Sequence, residues 1–294
     1  MELPASVAAL GEQLGGTGDI VPDPALFKEP DVFAAERERV FARPWTAVDH
    51  QTRLPEHGHY FVFDAANRSV VVTRDSEGCL HALRNLCLHA GYPICDAEDG
   101  SGERLICPYH GWEYTLTGRL VEPELSSRID PARLQLARYR VSVRDGLIFA
   151  DLSGGSAPAE EVPVRVPNWL ADSAVTRRAR YSTTSNWKFV LHLARSNPDL
   201  FLDGPPEADD SGRCIEFGPL SLMMVSQQQA ALVRVIPKFA ERTDVQLIQM
   251  AAAEAPERTA TGEDAIAAAL GCAGGSSGLD RGFFDWYWPL MSGA

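Results

Sequence analysis

With 294 residues, the chain has room for one large or two modest domains. Its 45% hydrophobic content and mean hydropathy of −0.15 describe an ordinary globular protein with a substantial core. A net charge of −13 and a pI near 5.0 argue against a nucleic-acid or anionic-membrane surface.

The first residues, MELPASVAALGEQLGGTGD, contain neither a basic leader nor a continuous apolar core, and no later stretch approaches the run of about 18 apolar residues that spans a bilayer. The sequence therefore predicts a cytoplasmic protein without a membrane partner. Residues 1–30 are rich in Gly and Pro and are expected to be irregular. Asp31 is placed to cap a short helix carrying Val32, Phe33, Val40 and Phe41. From Trp45 the texture changes. HYFVFDAANRSVVVTRDSEGCLHALRN alternates apolar and polar residues, with breaks at Ala66-Asn67 and Glu77-Gly78, and RLICPYHGWEYTLTGRLV and YRVSVRDGLIFADL continue the pattern. Short strands at close spacing predict a small antiparallel β-domain over residues 45–152.

SGGSAPAEEVP, residues 153–163, reads as a linker because it is small, Pro-containing and without apolar periodicity. Residues 164–294 then offer a helix at 186–196 and strands within 214–226, 230–239 and 244–252. A second helix is expected over 265–270, broken by GCAGGSSG. The aromatic tail GFFDWYWPL reads as core or interface packing; the sharper alternative has it filling a substrate space or docking on a partner subunit.

Six cysteines, at 79, 87, 95, 107, 214 and 272, are too few and too scattered for a secreted disulfide scaffold, so metal binding becomes the better question. Cys87-x-His89 and Cys107-x-x-His110 each end an apolar strand and enter a turn containing Gly91 or Gly111. Two such turns side by side present one thiolate and one imidazole each. Two thiolates on one iron and two imidazoles on the other make a Rieske [2Fe–2S] centre, whose neutral imidazoles raise its potential above that of an all-cysteine cluster. A structural zinc site uses the same four side chains, but a zinc finger pairs its cysteines in one knuckle and its histidines in the other. Here each knuckle is mixed, which favours the cluster. Cys79 and Cys95 read as incidental or buried thiols, and His50, His57, His59 and His81 as ordinary surface or core residues.

CLH…CPYHGW resembles the Rieske domain of Rieske non-haem iron oxygenases, the α subunits of aromatic-ring-hydroxylating systems. The likeness runs from about residue 31, through ERERVFARPWTAVDHQTRLPEHGHYFVFD, to residue 152. Leu88 and Ala90 depart from it, standing where the family commonly has basic residues. Respiratory Rieske proteins carry an extra cysteine in each cluster loop. Tyr92 and Tyr109 occupy those positions here, either to hydrogen-bond a ligand sulfur or to pack. The resemblance implies an α+β fold: a Rieske-type antiparallel β domain joined to a shortened helix-grip domain resembling a catalytic one, with residues 1–44 packing on the latter.

In the family, a helix beginning Asn-Trp-Lys supplies an acidic bridging residue and two histidines for a mononuclear iron, and a distant aspartate completes a two-His-one-carboxylate triad. Asn186-Trp187-Lys188 match that opening. Aligned without gaps, Ser196 falls at the acid, Asp199 at the first histidine and Gly204 at the second. His192 sits two turns early, and Pro198 ends the helix. His192 is also the last histidine of the chain after His110, so two imidazoles cannot be found in this half. The expectation is that mononuclear Fe(II) is absent from this chain, that His192 is a core or interface residue, and that pairing it with Asp199 or Asp203 would hold metal weakly at best. Asp264, Asp280 and Asp285 are equal candidates for the third-ligand position.

Family oxygenases assemble as trimers or multiples of three, and electrons cross between subunits. The sequence thus predicts an electron-relay or structural subunit of a hetero-oligomer. Its partners would be an intact paralogous catalytic subunit and a ferredoxin or flavin reductase using NAD(P)H; an acidic face could dock a basic redox partner. A self-sufficient hydroxylase or demethylase with an atypical iron site is the alternative, and a carrier resembling a Rieske ferredoxin is the third reading.

Overall fold

A computed structural model describes residues 3–17, 19–41, 45–65, 68–121, 134–153, 166–202, 213–253, 263–272 and 279–293. They fall into two compact units. One is continuous, Ala47–Pro163, and the other joins Met1–Thr46 to Val164–Ala294. No helix among the described residues is long and apolar enough to cross a membrane.

The continuous unit is built on nine strands: β1 (Thr46–His50), β2 (His59–Ala65), β3 (Arg68–Arg74), β4 (Leu80–Arg84), β5 (Asp99–Ser101), β6 (Arg104–Ile106), β7 (Glu113–Thr115), β8 (Arg138–Arg144) and β9 (Leu147–Asp151). Seven form a sheet in the order β1-β9-β8-β4-β3-β2-β5, and β6 pairs with β7 as a separate hairpin. The β-branched run Val70-Val71-Val72 shows how the period of two builds two cores. Val70 and Val72 enter a cluster with Phe61, Phe63 and Ile148. Val71 points the other way, into a cluster that contains Leu83, Leu105, Tyr114 and the thiols of Cys87 and Cys107. Sheet register thus decides that both cysteines lie on the opposite side of β3 from the Phe61 cluster. The β8–β9 turn needs left-handed backbone at two consecutive residues, and Asp145 (φ 47°) and Gly146 (φ 82°) supply it. The break expected at Ala66-Asn67 and residues 154–163 of the expected linker lie outside the described residues.

The discontinuous unit differs from expectation at its start. The described residues before 30 are irregular only in part: α1 spans Ala5–Leu14 and α2 Ala25–Lys28, followed by α3 at Pro30–Arg39. Tertiary packing overrides the Gly and Pro content. Val7 and Leu10, three apart, are buried, and Gly11 lies so close to Trp288 that a β-carbon there would meet the indole at 2.3 Å. Asp31 does not cap α3. Pro30 opens the helix, Glu29 is the capping position without a side-chain bond, and Asp31 sits in the first turn, where its charge suits the helix dipole.

A five-stranded antiparallel sheet follows, built from β10 (Ala174–Thr183), β11 (Arg213–Glu216), β12 (Ser221–Val225), β13 (Gln229–Phe239) and β14 (Arg242–Ala251), in the order β10-β14-β13-β12-β11. The edge strand β10 escaped the hydropathy pattern because TRRARYST is polar and only half covered. On this sheet lies α4 (Trp187–Ser196), whose N-terminus is capped by the Asn186 side chain accepting the Lys188 amide. It stops before Pro198, where a 3₁₀ turn over Pro198–Phe201 begins. α5 spans Glu263–Cys272. The aromatic tail is α6 (Arg281–Ser292), capped by Asp280 and closed by Gly293 at φ 76°.

One buried ion pair ties three of these helices together. The Lys188 ammonium on α4 meets the Glu36 carboxylate on α3, and both side chains are almost inaccessible to solvent. The same carboxylate accepts hydrogen bonds from the Trp187 indole and, on α6, the Tyr287 hydroxyl, each at 2.7 Å. Lys188 also donates to the Leu26 carbonyl at 2.6 Å. Burial pulls the lysine's proton affinity down and Glu36 pushes it back up.

Candidate metal centre

The four residues singled out from sequence come together in the Ala47–Pro163 unit, on two loops with the same backbone construction. In the first, the Cys87 amide donates to the Tyr92 carbonyl at 2.7 Å and the Gly91 amide to the Cys87 carbonyl at 2.9 Å. In the second, Cys107 donates to Trp112 at 2.9 Å and Gly111 to Cys107 at 2.9 Å. Gly91 (φ 67°) and Gly111 (φ 71°) both occupy the left-handed region that lets each loop turn back on itself. β4 delivers the first loop and the β6–β7 hairpin carries the second.

The donors are sorted by depth. Both thiols are buried, Cys87 at 4% and Cys107 at 1% exposure, whereas His89 and His110 lie on the surface. The two imidazoles are 4.6 Å apart by ring centroid. His89 is stacked on Trp112 at 4.8 Å and 11°, and His110 packs on Tyr109 at 3.9 Å. Among the described residues no three His, Cys, Asp or Glu side chains converge as ligands for a single ion. A thiol pair below and an imidazole pair above is the donor set a binuclear cluster requires, two ligands per iron, so these residues fit a [2Fe–2S] group better than one zinc ion.

Two residues not found in the sequence reading hold the loops. The Tyr114 hydroxyl lies 3.2 Å from the Cys87 sulfur and accepts the Leu88 amide at 3.0 Å. Tyr92 and Tyr109, expected either to bond a sulfur or to pack, take the packing role: they stack on each other at 5.2 Å, half exposed. The clue to Tyr114 was the alternation Glu113-Tyr114-Thr115, which turns only the tyrosine inward. Asn85 clamps the first loop from below, its Oδ1 accepting the amides of Ile94 and Cys95 at 3.0 and 2.8 Å and its Nδ2 donating to the Cys95 carbonyl at 2.7 Å. Burial would raise the Cys87 thiol, but hydrogen bonds from Tyr114, the His89 and Ala90 amides and Cys107 outweigh it and favour the thiolate. Cys95 is pushed up to about 12, mainly by burial with help from Asp96, and is an inert thiol. The remaining histidines are occupied elsewhere: His50 with Thr52, His57 with Glu103, His59 with the Glu56 carbonyl and His81 with Asp75.

Among the described residues, the candidates for the family's second metal site are engaged separately. His192 packs edge-on against Phe283 at 6.2 Å. Asp199 is exposed on the 3₁₀ turn, Asp280 caps α6, and Asp285 lies 3.9 Å from Arg281 on the surface. Asp203, Gly204 and the Asp264 side chain lie outside the described residues. The tail's Phe283, Phe284 and Tyr287 are buried within their own unit.

Comparison with known proteins agrees with this geometry. A sequence profile described as the Rieske [2Fe-2S] domain matches residues 44–139. The glycine betaine monooxygenase oxygenase subunit of Chromohalobacter salexigens is 27% identical over 205 residues, covering 65% of this chain and 46% of that protein. The benzene 1,2-dioxygenase α subunit of Pseudomonas putida is 34% identical over 133 residues, covering 44% of this chain and 30% of its own length. The chain therefore matches less than half the length of either curated relative. In fold it is similar to a quaternary ammonium Rieske monooxygenase (TM-score 0.71, 15% identity, 92% of this chain and 93% of that one). It is equally similar to naphthalene 1,2-dioxygenase from Rhodococcus sp. (TM-score 0.70, 17% identity, 97% of each chain). Residues 44–139 are thus a Rieske [2Fe-2S] domain, in a chain whose fold is similar to that of Rieske oxygenases.

Proposed function

We propose that Cys87 and Cys107 bind one iron of a Rieske [2Fe–2S] cluster and His89 and His110 the other. On this reading the chain is the Rieske subunit of a hetero-oligomeric oxygenase. It takes electrons from a ferredoxin or flavin reductase and passes them to a mononuclear iron held by a partner subunit, in a trimer or a multiple of three. The bound cluster supplies one-electron transfer at the raised potential that neutral imidazole ligands give. The protein's own part is electrostatic and geometric. Tyr114 and the loop amides stabilise sulfur charge, Asn85 fixes the first loop, and stacking on Trp112 and Tyr109 holds the imidazoles at the surface, where electrons enter and leave.

One observation carries the division of labour: His192 is the sole histidine after His110 in these 294 residues, so this half of the chain cannot provide two imidazoles to one iron. The self-sufficient reading has its own support, since the matched relatives bear the names of oxygenase subunits. Iron and turnover separate the two. The purified chain is expected to hold about two irons and to turn over no substrate with a reductase present. About three irons per chain together with turnover would overturn the relay.

A further inference from the structure

At the mouth of the candidate metal centre the two loops meet through a chain of rings. The Tyr92 ring of the first loop stacks on the Tyr109 ring of the second at 5.2 Å and 30°. Tyr109 packs on His110 at 3.9 Å, His110 on His89 at 4.6 Å, and His89 on Trp112 at 4.8 Å. This chain of five rings passes from one loop to the other three times. Among the described residues no hydrogen bond joins 88–93 to 108–112, because each loop spends its turn bonds on itself, Cys87 with Tyr92 and Cys107 with Trp112. The turn glycines add no packing: a β-carbon at Gly91 or Gly111 would meet nothing within 4 Å. Two of the three crossings use the candidate donors His89 and His110 themselves. Tyr92–Tyr109 is the crossing that uses neither, so it joins the loop tips whether or not the imidazoles are engaged.

We infer that the Tyr92–Tyr109 stack is the latch of this site: it holds the loop tips closed over the donors, and its opening sets how fast the bound cluster is released. This rests on the cluster assignment proposed above and adds the residues that govern retention. The thiols of Cys87 and Cys107 lie buried beneath the imidazoles, so a small molecule reaches the sulfur end when the tips part. Tyr92 and Tyr109 are 46% and 58% exposed, and a ring pair of this kind shifts the closed population by about two- to ten-fold, weak enough to open on its own. Release moves no electron. A chelator takes both ferric ions, the Cys87 and Cys107 thiolates each take up a proton, and the two bridging sulfides leave as hydrogen sulfide.

The test follows the loss of visible absorption from the full chain, reconstituted with iron and sulfide and kept oxidised, after excess EDTA is added. Tyr92→Leu is expected to speed release by about three- to ten-fold, and Tyr109→Leu by at least as much, because it also loses the contact with His110. The double variant Tyr92→Leu/Tyr109→Leu should stay within about two-fold of Tyr109→Leu, since both substitutions break one contact. Tyr92→Phe and Tyr109→Phe keep the rings and should release within about two-fold of the unaltered chain. Val143→Ser, which removes an exposed apolar side chain from β8, should do the same. A rate unchanged by Tyr92→Leu, a double variant that multiplies the two single effects, or Phe or Val143 variants as fast as the Leu ones overturns the latch while leaving the cluster assignment intact. Absence of visible absorption from the reconstituted, unaltered chain sinks that assignment, and the latch with it.

Discussion

The two cluster loops and helix α4 carry family motifs of similar clarity, yet they keep different things. In the loops both candidate donors and their supports are present: two thiols, two imidazoles, two left-handed glycines, Tyr114 on a sulfur and Asn85 beneath. In α4 the matching residues Asn186, Trp187 and Lys188 are supports. Asn186 caps the helix and bonds the Phe27 and Ala240 carbonyls, Trp187 is fully buried, and Lys188 sits in the ion pair with Glu36. Beyond that opening the aligned positions hold Ser196 and an exposed Asp199. Substitutions at such fold-building residues cost stability whatever the chain does, whereas substitutions at exposed positions such as Asp199 do not.

The sharpest way to break this comparison is at the loops. On the proposed assignment Cys107→Ser removes a thiolate ligand, and its visible absorption is expected to vanish entirely, since an alkoxide or water is a poor substitute on that iron. A variant that kept full absorption would show that the cluster is held elsewhere. Next in size is the ion pair under α4. Lys188→Ala or Glu36→Ala strands a buried charge and should cost about 3–5 kcal/mol, read by denaturant unfolding. Replacing both together should cost less than the sum of the two single changes, and iron per folded chain should stay at the unaltered level. Loss of iron in step with these variants would mean that α4 and the loops are not separable in the way described.

How far all this could be read in the sequence follows from range of interaction. The Cys-His spacing at 87–89 and 107–110 is local, so the motif and its turns were legible, as were the strands around it and the cap and stop of α4. The helices of residues 5–14 and 25–28 were not, because Gly11 and Leu26 make sense only against Trp288 and Lys188, far away in the chain. Strand β10 was hidden for the opposite reason: an edge strand with exposed arginines lacks the apolar period that betrays a buried one. Tyr114 was masked by two more conspicuous tyrosines. Its role depends on which face of β7 turns inward, a matter of register rather than composition.

Tyr114→Phe sharpens that last point with a smaller effect. If the Cys87 sulfur binds the cluster as proposed, a hydroxyl donating to it stabilises the more negative, reduced state, so its removal should lower the reduction potential. If the bond differs by about 1 kcal/mol between redox states, the one-electron potential falls by roughly 40 mV, measured by spectroelectrochemical titration. Tyr109→Phe, whose ring stacks at the surface, should shift it far less. Equal shifts would return the role to the surface pair.

The smallest expected effect is at His192, where the comparison is most exposed to refutation. Its ring packs edge-on against Phe283, and Phe283 belongs to the buried face of α6. His192→Ala should therefore cost about 1 kcal/mol or less through lost aromatic packing. Iron per chain, counted on the same protein, should not change. His192→Phe keeps a ring against Phe283 and removes both nitrogens, so it should recover the stability. An imidazole that ligates iron would give the reverse pattern: both substitutions would lose one iron, and His192→Phe would recover nothing.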